Sequence, residues 1–228
     1  MNKTLIVVLI IVFLFVFAWC EEKGRNLVIE SRIVKNDKSN DDQANSKKET
    51  NRLREKIENL IEESIKNLPD NNDIYAFSLY MFAIDDEPSQ QTVTFGYNTE
   101  EQFEKSLEKA SGPIEARWNY AFWLQNSEFI FGEDEGTEKD IQEWLKEHNL
   151  TNLPWDDEEW IIEEAFAKEM VAISKDIHEK GIIKDKFGKE LPILVHKLEY
   201  YDEVAKINKE ANGEYLPEDF LKLCRGEY

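Results

Sequence analysis

Seventeen residues near the amino terminus, Thr4–Cys20 (TLIVVLIIVFLFVFAWC), carry no charged side chain, and no other stretch restricts the chain so strongly. As a helix they would span about 25 Å at 1.5 Å per residue. That length lies at the short end of what crosses a bilayer and just beyond the core of a signal peptide. A run this apolar cannot lie on a water-facing helix, so residues 1–20 read as a membrane anchor and the rest as what it holds. Cys20 leaves three outcomes open. The enzymes that process lipoproteins need a small residue before the modified cysteine, and here that residue is Trp19. Ordinary signal cleavage also wants small residues and finds only Ala18. An uncleaved span, with Trp19 at headgroup level, is therefore preferred over lipid attachment at Cys20 or cleaved secretion. Basic residues flank both ends, Lys3 on one side and Lys23, Arg25, Arg32 and Lys35 on the other, so the side of the membrane is left open.

Residues 21–49 include NDKSNDDQANSKKE and show no apolar periodicity, which predicts a polar, flexible tether. Residues 50–228 read as a single acidic α+β domain. From Asn51 on, 41 acidic residues stand against 20 basic ones, a net of −21 in a chain whose total is −20. Such a surface repels phosphate backbones, which argues against direct nucleic-acid binding and leaves a basic protein, a cation or no partner at all open. Two cysteines, Cys20 and Cys224, provide no disulfide framework.

Leu53, Ile57, Leu60, Ile61, Ile65 and Leu68 recur at helical spacing until Pro69. DIYAFSLYMFAID is apolar on both faces and predicts a central strand covered on each side, paired through DDEPSQ with QTVTFGYN as a hairpin. Thr99 is the expected cap of an acidic helix reaching Ala110. In EARWNYAFWLQNSEFIF the aromatics suggest a strand that turns into a helical piece. Thr137 is the expected cap of a helix carrying Ile141, Trp144 and Leu145. Asp156, with Glu159 three residues on and Trp155 stapled to Trp160, is the expected start of a long helix. Its stripe is Ile162, Phe166, Met170, Ile173 and Ile177, and Gly181 closes it. LPILVHKL predicts another strand, Asp202 opens a helix with Val204 and Ile207, and LPEDFLKLC a short helical end. The order predicts an antiparallel or mixed sheet packed with helices.

Motifs for chemistry are sparse. FGKE at Phe187 lacks the glycine spacing of a phosphate loop, and the chain has no nucleophile elbow, paired-histidine zinc helix or Cys-x-x-Cys. Asp85-Asp86-Glu87 and Glu133-Asp134-Glu135 lack calcium-loop spacing and read as turn charges. No cofactor, metal site or catalytic residue is therefore assigned. His148 and His178 sit at polar helix ends, where they complement the helix dipole. His196 lies in an apolar strand on the face of Leu194 and Leu198, where the simpler reading is a ring bonded to backbone and the sharper one a general base. Arg117, Trp118 and Trp123 place a guanidinium beside large rings. They are the candidate binding residues, with a core-edge role as the simpler reading.

Together IYAFSLYMFAIDD, the hairpin strand and acidic helix, ARWNYAFW, the long helix and FGKELPILVHKLEYYDE resemble the bacterial family known as domain of unknown function 4303. The resemblance covers roughly residues 74–223. It implies no established activity, cofactor or catalytic residue, and it points towards toxin–immunity neighbourhoods; a membrane anchor is a departure from the family. The expected function is that of a membrane-tethered acidic binding domain, immunity-like in neutralising a basic protein. A membrane-bound hydrolase using a carboxylate pair or His196, and a structural envelope protein without specific ligand, are the alternatives.

Trp19 makes the anchor testable. Cells fed a radioactive fatty acid should leave the protein unlabelled and the mature chain should keep residues 1–20. Label that disappears in Cys20→Ala would instead establish lipidation.

Overall fold

In a computed structural model, residues 52–69 and 73–227 are described, without the side chains of residues 155–158. The apolar run at 4–20 and the tether at 21–49 lie outside the described residues, as does Cys20. No helix among the described residues is long and apolar enough to cross a membrane.

Strand β1 (Ile74–Ala83) organises the domain. It pairs antiparallel with β2 (Gln91–Thr99), its hairpin partner, and parallel with β4 (Ile193–His196), which arrives far later in the chain. A three-residue strand, β3 (Phe129–Phe131), adds antiparallel to β2, giving the order β3-β2-β1-β4. The fold is thus α+β with a mixed sheet of four strands and, among the described residues, eight α-helices. As expected for a central strand, the body of β1 is buried on both faces.

Each face of the sheet has its own core. Phe77, Leu79, Val93, Phe95, Ile193 and Val195 point one way, and Phe77 stacks on Phe95 with centroids 5.4 Å apart. Against them pack α1 (Arg52–Asn67), α4 (Glu135–Glu147), α5 (Trp155–Glu179) and α6 (Ile182–Phe187). The predicted stripes of α1 and α5 supply this layer, and Ile57, Ile61, Ile65, Ile162, Phe166, Met170, Ile173 and Ile177 are fully buried. On the opposite face Ala76 and Leu194 meet α3 (Pro113–Trp118), α7 (Asp202–Asn212) and α8 (Glu218–Cys224). A register shift in β1 between Ile74 and Ala76 turns Tyr75 to this second face, as a bulge does when it inserts one extra residue.

Strand β4 is bordered on one side by β1 and on the other by α7, whose Asn208 and Asn212 stand four residues apart on the buried face. Each asparagine acts as a detached peptide group. Asn212 Oδ1 accepts from Ile193 N–H (2.7 Å) while its Nδ2 donates to Ile193 C=O (2.9 Å). Asn208 does the same for Val195, at 2.9 and 2.7 Å. The second edge of β4 is thereby hydrogen-bonded without a strand beside it, and both side chains are essentially fully buried.

Several local expectations are corrected. Helix α4 begins at Glu135 because the Asp134 carboxylate, not Thr137, accepts from the N–H groups of Gly136 (2.9 Å) and Thr137 (3.1 Å). Helix α5 begins at Trp155, directly after Pro154, whose φ of −58° already suits the first turn. Asp156 is therefore inside the helix, and the proposed contact of Trp155 with Trp160 lies outside the described side chains. Thr99 does cap α2 (Glu100–Ser106), accepting from Gln102 N–H at 3.2 Å, but that helix ends at Ser106 rather than Ala110. The aromatic segment runs in the reverse order, helix α3 first and strand β3 last, because Pro113 after Gly112 opens a helix. Leu198 lies beyond the end of β4 and is exposed, so it does not flank His196.

Asn208→Ala leaves the N–H and C=O of Val195 buried without partners. It should lower the unfolding free energy by about 2–4 kcal/mol, since each orphaned buried group costs roughly 1–3 kcal/mol. Denaturant titration measures it; a change below about 0.5 kcal/mol would mean that the edge is satisfied in another way.

Candidate functional site

Arg117, Trp118 and Trp123 do come together, around the C-terminal end of α3. The last carbonyls of a helix lack intrahelical donors. Here Arg117 C=O accepts from both the Tyr75 hydroxyl (2.5 Å) and Trp123 Nε1 (2.8 Å), which draws the ring of Trp123 back onto the helix end. Asn98 Nδ2 donates to the Tyr75 hydroxyl at 2.8 Å, so the bulged strand, β2 and α3 share one network. Burial holds the Tyr75 phenol well above its usual range, against the Asn98 bond and the nearby Arg117 charge, which pull it down. The Trp118 ring packs edge-on against Tyr75 and Phe220. Both tryptophans are buried. The Arg117 guanidinium makes a forked pair with Glu100 (3.0 and 2.6 Å) and lies over Phe103 (4.0 Å) and Tyr75 (4.6 Å). Its bonds hold the Glu100 carboxyl below the usual carboxylate range. These groups are engaged with one another, the core-edge arrangement that was the simpler of the two sequence readings.

His196 is fully buried and also fully bonded. Nδ1 lies 2.8 Å from the Lys197 carbonyl, which can only accept, so Nδ1 carries the hydrogen. Nε2 is then the acceptor for the Ser78 hydroxyl at 2.7 Å. Ser78 is one strand over and diagonal to His196, since Tyr80 is the residue directly opposite in the parallel register. The rings of Tyr80, Tyr120 and Tyr200 surround the imidazole at centroid distances of 5.7, 4.9 and 5.9 Å. Tyr120 N–H donates to the Tyr200 hydroxyl (3.0 Å), which pins the enclosure. Burial holds the imidazole pKa down to about 4. Cys224 is buried in the same aromatic core, where burial pushes its thiol up to about 12. A hydroxyl bonded to an imidazole that is oriented from behind is the hydrogen-bond pattern of a nucleophile and base. Ser78 and His196 are nevertheless each only 1% exposed, so that pattern has no opening through which a substrate could approach.

The other histidines serve structure. His148 donates from Nδ1 to Trp144 C=O (2.9 Å) at the end of α4. His178 bridges Glu190 (3.0 Å) and Asn212 (3.2 Å), buttressing the asparagine that borders β4. Among the described residues no group of three histidine, cysteine, aspartate or glutamate side chains is placed to hold a metal ion.

The charged surface carries both paired and unpaired acids. Across the frame, acids are paired: Glu169 with Arg54, Asp140 with Lys56, Glu58 with Lys180 and Glu163 with Lys197. At one corner they are not. Gln142 of α4 donates to Ser89 C=O (2.8 Å), holding α4 against the β1–β2 turn. Gly132 lies so close to the Gln91 carbonyl that a Cβ there would come within 2.4 Å of it, which brings the β3–α4 link alongside. Asp85 and Asp86, both at positive φ in the turn, thus share a corner with Glu133, Glu135 and Glu138. All five are exposed and none has a cationic partner among the described residues.

No family model matches this chain, and no curated protein or solved structure is significantly similar to it.

Sequence reasoning missed Ser78 and the asparagine pair. Ser78 carries no signal, being one small residue in an aromatic strand. Asn208 and Asn212 do carry one: two amides four residues apart, in phase with the apolar Val204, Ala205 and Ala211.

The neutral state of His196 sets an acid dependence. The unfolded chain protonates this ring near 6.5, whereas the folded protein resists until about 4. Between those values the unfolded state binds more protons, so stability is full above 6.5 and falls as the pH drops. The loss should reach about 3 kcal/mol by pH 4, at 1.36 kcal/mol per pH unit. The facing rings of Tyr80, Tyr120 and Tyr200 do not titrate there. Denaturation of wild type and His196→Gln across this range should therefore show a shallower dependence in the variant, and parallel curves would refute the assignment.

Proposed function

We propose that the chain is a membrane-tethered, acidic binding domain that takes up a basic protein, as an immunity protein neutralises its toxin. The observation that carries this reading is the corner of unpaired acids on a body of net charge −21. Charges that hold the frame together are matched; those at the corner have nothing of their own to match, and a cationic surface would supply it. Residues 4–20 serve as the anchor and 21–49 as the tether, which raises the local concentration of the domain near a partner at the membrane. The resemblance to the domain of unknown function 4303 family is part of this proposal and supports it through the toxin–immunity association. In it, Arg117, Trp118 and Trp123 hold α2 and α3 on the sheet at the Thr99 end of β2, away from the Gln91 end where the corner acids lie.

The hydrolase alternative finds its one support in the hydroxyl–imidazole pair of Ser78 and His196. Burial of both residues beneath three tyrosine rings weighs against it.

Pull-down of the full chain from membranes at about 0.05 M and about 0.5 M salt separates the two readings, because added salt screens exposed charges. A basic protein retained at low salt and released at high salt is the expected result. Failure to retain any basic protein, together with loss of biological function in a folded His196→Gln variant, would overturn the binding reading in favour of the hydrolase.

A further inference from the structure

Strand β3 ends the sheet, and its outward edge is open. It pairs with β2 on one side only, and no described residue bonds the backbone of residues 129–131 from the other. Strand edges of this kind accept an extended segment through main-chain hydrogen bonds. Phe129 and Phe131 turn toward the large core, while Ile130 between them is 36% exposed on the opposite face. Beside the edge, on the Phe131 side, lies an open cleft of about 430 Å³ between α1 and the start of α4. Leu60 and Phe131 give it apolar walls, and Glu63, Asp134 and Asp140 outnumber its one cation, Lys56, which is paired with Asp140. Glu128, Glu133 and Glu135 flank the strand, exposed and without cationic partners among the described residues.

From this arrangement we infer that the partner docks as a fifth strand on β3, through an extended segment in which basic and apolar side chains alternate. The alternation follows from strand geometry, since successive side chains point to opposite faces. One set enters the acid-rimmed cleft, where the long stems of Lys or Arg lie along Leu60 and Phe131 with their charges toward Glu63. The other set covers Ile130. The inference rests on the basic-partner reading and names the surface and the form of the segment that it would use. It also gives the unpaired glutamates on either side of the strand a role: they keep this open edge from pairing with a second acidic copy of the chain.

The test uses the full chain in detergent micelles, an alternating Lys-Val octapeptide and a Glu-Val octapeptide of equal length. The Lys-Val peptide should bind, the Glu-Val peptide should not, and hydrogen exchange should slow at residues 128–132 of the complex. Glu133→Lys with Glu135→Lys should weaken binding about tenfold or more, as expected for reversed charges at a docking rim. Glu199→Lys with Glu203→Lys, near the β4 side of the sheet, should change it by less than about twofold. Lys-Val binding without protection of β3, or weakened equally by both pairs of reversals, would overturn the strand-docking inference and leave the basic-partner reading standing. The same holds if the peptide fails to bind while membranes still yield a salt-released basic protein. If neither the peptide nor any basic protein is retained, both fall.

Discussion

Strand β4 has one strand neighbour, yet its other edge is buried too, and the side-chain amides of Asn208 and Asn212 make that possible. An exposed edge would leave the four polar groups of Ile193 and Val195 to water; a buried, unpaired one would cost several kcal/mol. With the amides in place, α7 can close over β4 and contribute Val204 and Ala205 to the second core. His178 and Glu190 extend the same network to α5 and the approach to β4. Two asparagines thus tie a parallel strand from late in the chain to the helices on both sides of it.

The sheet that results is asymmetric in purpose as well as in order. At β4 its edge is occupied, and at β3 it is free. The face towards α1 and α5 is an aliphatic and phenylalanine core, filled to the limit of burial. The other face is tyrosine- and tryptophan-rich, and most of its polar atoms bond one another: Tyr75 and Trp123 the Arg117 carbonyl, Ser78 the His196 ring, Tyr120 N–H the Tyr200 hydroxyl, while the buried Trp118 indole N–H has no partner. Tyrosine and tryptophan suit such a layer because each brings a large apolar ring together with one polar group that can tie it to a neighbour. The same logic keeps His196 neutral. Its ring is held by a carbonyl and a hydroxyl, with no carboxylate against it to favour the charged form.

Charge is distributed with the same division of labour. Pairs such as Arg54–Glu169 and Lys180–Glu58 join α1 to α5 across the surface of the large core, where partial burial and convergence of several charges give them more weight than isolated surface pairs. Among the acids without a structural partner, Asp85, Asp86, Glu133, Glu135 and Glu138 lie together where the β1–β2 turn meets the β3–α4 link. A domain that carries a net −21 tolerates that self-repulsion at its rim far better than within its frame.

Much of this was legible in the amino-acid sequence. Hydrophobic spacing is a local property, and it determined α1, the stripe of α5, the hairpin and the doubly buried β1, as well as the acidic surface and the absence of familiar catalytic motifs. The sites were less legible, because each depends on residues distant in sequence. Nothing in SLYM announces that the Ser78 hydroxyl bonds a histidine 118 positions later, and nothing in RWNYAFW reveals that the Arg117 guanidinium is held by Glu100. Helix starts were misplaced by two or three residues, since Asp134 and Thr137 both have side chains able to cap and only the path of the chain from Gly132 chooses between them. By itself the sequence determined which segments must be buried and how much charge the surface carries, because burial and charge are properties of side chains. The pairing of β4 with β1, the asparagine edge, the buried His196 and the open edge at β3 were decided only in the tertiary structure, where a hydrogen-bond partner exists only once the fold has brought it within reach.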